Sequence, residues 1–136
     1  MKDWVLPSGL ALLAWMGWGF LPKLAARHIN AQSAMIYQVL GGMLIGLAVL
    51  INLKFKVEYN LPGLVYGLAI GLLGFFGALM YLVAASKGPL ALVAPLTALY
   101  PLGAIILSII FLNESINIKQ GFGIAFSLIS IILITS

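Results

Sequence analysis

Five apolar stretches, each long enough to cross a bilayer as a helix, occupy most of this chain and leave only short polar connections. A run of about 20 apolar residues at 1.5 Å rise per residue spans the roughly 30 Å hydrocarbon core. Hydrocarbon offers the backbone no hydrogen-bonding partner, so each stretch must pair its own N–H and C=O groups and is predicted to be α-helical. Any function must then be assembled from helices packed in lipid. The composition agrees: 63% of the 136 residues are hydrophobic, and seven basic and three acidic side chains carry all the side-chain charge.

At this length there is room for one domain. With no cysteine, disulfides, thiolate catalysis and cysteine-bound metal are excluded. One histidine and three acids leave little for a metal site, and no metal or cofactor is expected. The formal charge of +4 comes from scattered Lys and Arg residues. That is the pattern of membrane-flanking charge, whereas a nucleic-acid partner would need a clustered basic face. The N-terminus carries Lys2 but also Asp3, its apolar run holds Pro7, Gly9 and Gly17, and no small-residue cleavage site follows. It reads as a retained first span rather than a signal peptide.

The predicted spans are residues 4–26, 31–53, 61–85, 89–112 and 118–136. Arg27 to Asn30 form the first turn, and Lys54 to Asn60 the most polar loop. Connections this short make sequential helices antiparallel neighbours. The third span carries Gly63, Gly67, Gly71, Gly74 and Gly77, spaced to keep small residues near one helix face. Gly123, Ser127 and Ser130 do the same in the fifth. Small faces let backbones approach closely where no hydrophobic effect drives association. Internal packing of the five-helix bundle and a dimer contact are both readings of the glycine stripe.

Lys and Arg in short loops set orientation and prefer the cytoplasm. With the N-terminus inside, the inner set is Lys2, Lys54, Lys56 and Lys119, and the outer set Lys23, Arg27 and Lys87, a near balance of four against three. The chain either takes one topology or inserts both ways and pairs as an antiparallel homodimer. Many transporters are built from two halves of inverted topology around a central site, and an odd number of spans is what such a half requires.

Few residues can carry chemistry. Lys23 closes the first span: an ionisable group in a membrane marks a substrate path or a buried pair, or it snorkels to the interface. Pro22 frees a backbone carbonyl one turn earlier and predicts a bend or polar notch. Trp15 and Trp18 share a face with Pro22. They are interfacial belt residues, or a pair of rings facing a cavity that suits an apolar or cationic solute. Tyr37 and Gln38 lie early in the second span, where Gln38 is expected to point inward and bond a neighbour. Tyr66 and Tyr81 bracket the third span, and belt placement explains at least one of them. In the fourth span Pro89 suits a helix start, while Pro95 and Pro101 should bend the helix or leave free carbonyls. Thr97, Tyr100 and Ala104 share a face that a solute could meet, the alternative being a bent packing helix with a satisfied Thr hydroxyl. Glu114 is expected to cap the next helix or pair with Lys119. No carboxylate lies within any span, which argues against a mechanism driven by one buried acid.

The segment from Gly88-Pro89-Leu90-Ala91 through Pro95-Leu96-Thr97-Ala98-Leu99-Tyr100-Pro101, followed by Phe111-Leu112-Asn113-Glu114 and a last span containing Gly121, resembles the EamA-like half of the drug/metabolite transporter superfamily. Trp18-Gly19 with Lys23 is similar to the start of that unit. The resemblance covers nearly the whole chain. It implies an all-α membrane protein, a bundle of five transmembrane helices forming one half of an inverted-repeat transporter architecture. Typical members carry two such units, related by inversion, and export metabolites or drugs. This chain has one, so the resemblance implies that an antiparallel homodimer completes the architecture.

The reading reached is a multi-pass transporter of a small solute in a bacterial or archaeal plasma (inner) membrane. Trp15, Trp18, Lys23, Tyr37, Gln38, Thr97 and Tyr100 are the expected lining residues, and Lys23→Ala is expected to abolish transport without loss of folded protein. The alternative is a non-transporting membrane scaffold or assembly subunit. An intramembrane enzyme is not expected, because the chain offers no metal cluster, no thiol and no Ser/His pair at plausible spacing.

Overall fold

In the computed structural model, which describes residues 3–135, every predicted span is helical and no strand occurs among the described residues. Lys2, placed among the inner charges, and Ser136, the expected end of the fifth span, lie outside the described residues. Contacts divide the helices into two units, one ending at Lys87 and one beginning at Gly88.

The first unit holds α1 (Val5–Ala25), α2 (Ala31–Asn52) and α3 (Leu61–Lys87). Two of these helices are opened by asparagine. The Asn30 side chain accepts from the Ser33 N–H at 2.8 Å, and the Asn60 side chain from the Gly63 N–H at 3.2 Å. Each satisfies one of the N–H groups that a helix start leaves without an intrahelical partner. α2 ends differently. Lys54 and Phe55 take φ of 52° and 59°, and the Phe55 N–H reaches back to the Leu50 carbonyl at 3.0 Å. This is the left-handed helix stop usually given to glycine.

The buried side chains of this unit are Pro22 late in α1, Ala34 early in α2, and Ala78, Tyr81, Leu82 and Ala85 late in α3. Antiparallel succession brings those three segments to the same end. The core therefore sits at one end of the three-helix unit, while the opposite helix halves keep their large apolar side chains exposed. Midway, the Phe75 ring packs on α2 at Gly42, where a Cβ would meet it at 3.4 Å. The glycine stripe of α3 plays no such part. A Cβ added at Gly67, Gly71, Gly74 or Gly77 would meet nothing within 4 Å, and one at Gly63 would meet only its own cap, Asn60. Within the first unit those four glycines thus face open space.

The second unit holds α4 (Leu90–Thr97), α5 (Tyr100–Leu112) and α6 (Ile118–Thr135). Pro89 is the N-cap of α4, in extended conformation, as a helix start allows. The predicted fourth span is two helices rather than one bent one. Pro101 brings no N–H to the Thr97 carbonyl, so the α-helical ladder fails there and tightens into shorter bonds, Leu99 N–H to Leu96 carbonyl at 3.4 Å and Leu102 N–H to Leu99 carbonyl at 3.0 Å. Pro101 then falls in the first turn of α5, and Pro95 remains inside α4. α5 ends on Asn113 in the left-handed region, φ 54°.

α6 opens with a reciprocal cap. The Asn117 side chain accepts from the Gln120 N–H at 2.9 Å, and the Gln120 side chain accepts from the Asn117 N–H at 2.8 Å. This is a capping box, and it corrects the role expected of Glu114, which neither caps α6 nor forms an ion pair with Lys119 among the described residues. Four helical segments among the described residues are long and apolar enough to cross a bilayer: Val5–Ala25, Ala31–Asn52, Leu61–Lys87 and Leu90–Leu112 taken through its break. α6 has 18 residues, about 27 Å at the α-helical rise.

Candidate functional site

Polar side chains in an apolar unit are informative through the partner each one finds, because an unpaired polar group away from water costs free energy. In the first unit two such partners join α1 to α3. The Lys23 Nζ donates to the Ala85 carbonyl at 2.9 Å. The Tyr81 hydroxyl donates to the Gly19 carbonyl at 2.7 Å. Each bond runs from a side chain of one helix to the backbone of the other, in opposite senses, and both connect residues 62 apart.

The two acceptors differ in why they are available. Ala85 lies in the last turn of α3, where carbonyls have no intrahelical donor. The residue four positions on is Pro89, which has no N–H to offer. A lysine ammonium at that end of a helix also meets the negative pole of the helix dipole. Gly19 lies inside α1, where its carbonyl faces the buried Tyr81. A Cβ on Gly19 would stand 3.7 Å from the Tyr81 oxygen, an ordinary contact.

Aromatic packing reinforces the join. The Trp18 and Tyr81 rings stack with centroids 5.2 Å apart and planes inclined by 25°, an offset geometry that aromatic pairs favour. Pro22 is buried beside them, one turn after Trp18, and α1 continues through it to Ala25. The cluster thus comprises Trp18, Gly19, Pro22 and Lys23 from α1 and Tyr81 and Ala85 from α3.

The structure gathers some of the predicted residues and leaves others apart. Trp18, Pro22 and Lys23 meet in this cluster. Trp15 is 61% exposed on α1 and Tyr37 65% exposed on α2. Gln38 is half-buried and makes no side-chain hydrogen bond among the described residues. Thr97, Tyr100, Pro95 and Pro101 belong to the second unit. The Thr97 hydroxyl lies within hydrogen-bonding distance of the Val93 and Ala94 carbonyls, at 2.9 and 3.0 Å, so its proton is taken up inside its own helix. Of the two tyrosines that bracket the third span, at least one is expected in the interfacial belt, and Tyr66 is the exposed one. Tyr81 is the buried centre of the cluster, and its only sequence signal is the small neighbours Ala78 and Ala85 at helical spacing.

The second unit holds a cavity of about 600 Å³ between α5 and α6. Its walls are mostly apolar, with Ser108, Glu114, Ser115, Gln120 and Ser127 as polar elements. Among the described residues, no group of His, Cys, Asp and Glu could hold a metal ion.

Comparison with known proteins agrees with this membrane architecture. An uncharacterized protein of Methanocaldococcus jannaschii is 28% identical over 134 residues, spanning 98% of this chain and 97% of the relative. No solved structure matches the chain significantly. Residues 4–136 match the EamA-like transporter family, as the resemblance of the proline-rich fourth span implied. The chain therefore belongs to the EamA-like transporter family and is an integral, multi-pass membrane protein.

Proposed function

We propose that the protein moves a small metabolite or drug-like solute across a prokaryotic plasma membrane by alternating access, as an antiparallel homodimer. The observation that carries this reading is the one-ended closure of the first unit. Lys23, Tyr81 and the buried alanines tie α1 to α3 at one end, while the other helix halves stay exposed. A second copy in inverted orientation would set a closed end against an open one on each side of the membrane, the arrangement that rocking of inverted repeats exploits.

Two further features support the pairing. The glycines of α3 present a small face with nothing against it inside their unit, and small faces suit close helix approach in lipid. The near balance of loop charges gives insertion little preference for one orientation. The relative is archaeal, which fits a prokaryotic membrane.

Trp15, Trp18, Lys23, Tyr37 and Gln38 in the first unit, and Thr97 and Tyr100 in the second, are the residues proposed to meet the solute. With the Lys23 ammonium engaged by Ala85, the tryptophan faces suit neutral or cationic amphiphiles better than anions.

The test fuses the C-terminus to paired reporters, one active only in the cytoplasm and one only outside it. Comparable signal from both is expected. Signal from one alone removes the antiparallel homodimer. Purified protein in proteoliposomes is then assayed for uptake of labelled amines, amino acids and nucleosides, and no uptake across that panel would favour a scaffold role.

A further inference from the structure

We propose that the cleft between α5 and α6 binds an organic ammonium ion, a primary or secondary amine in protonated form carried on an apolar body. The site lies within the second unit and does not depend on the transport reading.

The cleft follows from the break at Ala98 and Leu99. α4 packs against α6, whereas α5, which restarts at Tyr100, makes little contact with it. The space left is about 600 Å³, within the range of about 300–1,000 Å³ typical of small-molecule sites. Apolar walls come from residues such as Pro101, Ile105 and Ile124.

The polar lining is unusual in its balance of donors and acceptors. The Ser108 hydroxyl donates to the Ile105 carbonyl at 2.9 Å, and the Ser127 hydroxyl to the Gly123 carbonyl at 2.8 Å. Each hydroxyl has one proton, so toward the cleft each retains only acceptor lone pairs. The Glu114 carboxylate accepts only, and it has no ion-pair partner among the described residues. No Lys, Arg or His lines the cleft. Neutral donors are present as well: Gln120 retains its amide N–H groups, because only its oxygen is engaged by the Asn117 N–H, and Ser115 brings a hydroxyl.

One carboxylate with no basic side chain beside it disfavours anions, and with two serine oxygens facing it as acceptors it favours a ligand that brings both positive charge and N–H donors. A quaternary ammonium supplies charge but no N–H. A protonated primary or secondary amine supplies both, and its bonds to the carboxylate are the charge-assisted kind that are roughly twice as strong as neutral ones. The apolar walls take the remainder of the molecule.

The test uses the full chain in lipid nanodiscs and tritiated phenethylamine as the probe at neutral pH, read by scintillation proximity with empty nanodiscs subtracted. Saturable binding is expected. Glu114→Gln should weaken it by about tenfold or more, and Ser127→Ala by roughly threefold. Lys119→Gln, outside the cleft, should leave it unchanged. The neutral 2-phenylethanol and the quaternary phenethyltrimethylammonium should each compete at least about tenfold less well than unlabelled amine. Absence of saturable binding, binding by Glu114→Gln equal to wild type, or equal competition by the alcohol would overturn the proposal. Should Glu114→Gln fail to fold, the Ser127→Ala value and the competition series decide it. Because no flux is measured, a negative result here leaves the transport reading standing, and a silent transport assay leaves this site standing.

Discussion

The Lys23 ammonium donates a 2.9 Å hydrogen bond to the Ala85 carbonyl, joining the last turn of α1 to the last turn of α3. The lysine is a helix cap supplied from another helix, at a carbonyl whose own chain continues into Pro89. Removing it with Lys23→Met should leave that carbonyl unpaired and lower stability by about 1–2 kcal/mol, the scale of a hydrogen bond to a charged group at a half-exposed site. Lys23→Arg, which keeps charge and donors, should recover much of the loss. Thermal unfolding of purified variants measures this. Stability and transport are therefore to be measured together in the Lys23 variants, and unchanged melting for Lys23→Met would show that the contact does not hold the helices.

Tyr81 does two jobs that can be separated. Tyr81→Phe keeps the ring stacked on Trp18 but loses the bond to Gly19, a change of about 1 kcal/mol. Tyr81→Ala loses the stack and opens a void, costing about 3 kcal/mol or more. Gly19→Ala should be tolerated, since the new methyl stands 3.7 Å from the Tyr81 oxygen. A melting series across the three variants checks the order. Equal effects for Tyr81→Phe and Tyr81→Ala would show that the stack contributes nothing.

Lys54 and Phe55 hold left-handed backbone without being glycine. That conformation costs an ordinary residue roughly 1–2 kcal/mol. Phe55→Gly is expected to raise stability by about 1 kcal/mol, and Lys54→Gly by a similar amount. Either variant melting below wild type would mean that the side chain makes a compensating contact, with lipid for instance.

The asparagine and glutamine that open α6 satisfy each other's backbone. Asn117→Ala should destabilise by about 1 kcal/mol, and Asn117→Ser much less. Glu114→Gln should leave stability unchanged, since Glu114 takes no part in that cap. Unfolding curves for the three variants distinguish the capping role from the binding role assigned to Glu114.

The open glycine face of α3 gives the dimer its own test. Gly71→Leu and Gly74→Leu meet no neighbouring atom within 4 Å of the added Cβ, so the folded chain should accept them. In a dimer packed through that face the added bulk should shift cross-linked product from dimer to monomer. Dimer yield unaffected by both variants would move the interface elsewhere.

The spans, their order and their polar turns were legible in the sequence, because lipid allows one backbone solution for a long apolar run. The fourth span was legible in part. Its prolines announced a disturbance, and the structure set the break at Ala98 and Leu99 because Pro101, not Pro95, removes the donor for the carbonyl of Thr97. Turn asparagines were visible at Asn30, Asn60 and Asn117, but the sequence reading gave the last cap to Glu114, and geometry gives it to Asn117 with Gln120.

The partners of Lys23 and Tyr81 were decided only by tertiary structure. Apart from the small neighbours Ala78 and Ala85, nothing local separates Tyr81, 6% exposed, from Tyr66, 68% exposed on the same helix. The helices are apolar on every side, so no periodicity marks an inner face, and both acceptors are backbone carbonyls, a group that every residue carries. Sequence by itself determined that this chain is a set of membrane helices of one transporter family. The packing of α1 on α3 alone chose which carbonyls, among all those available, a lysine and a tyrosine would find.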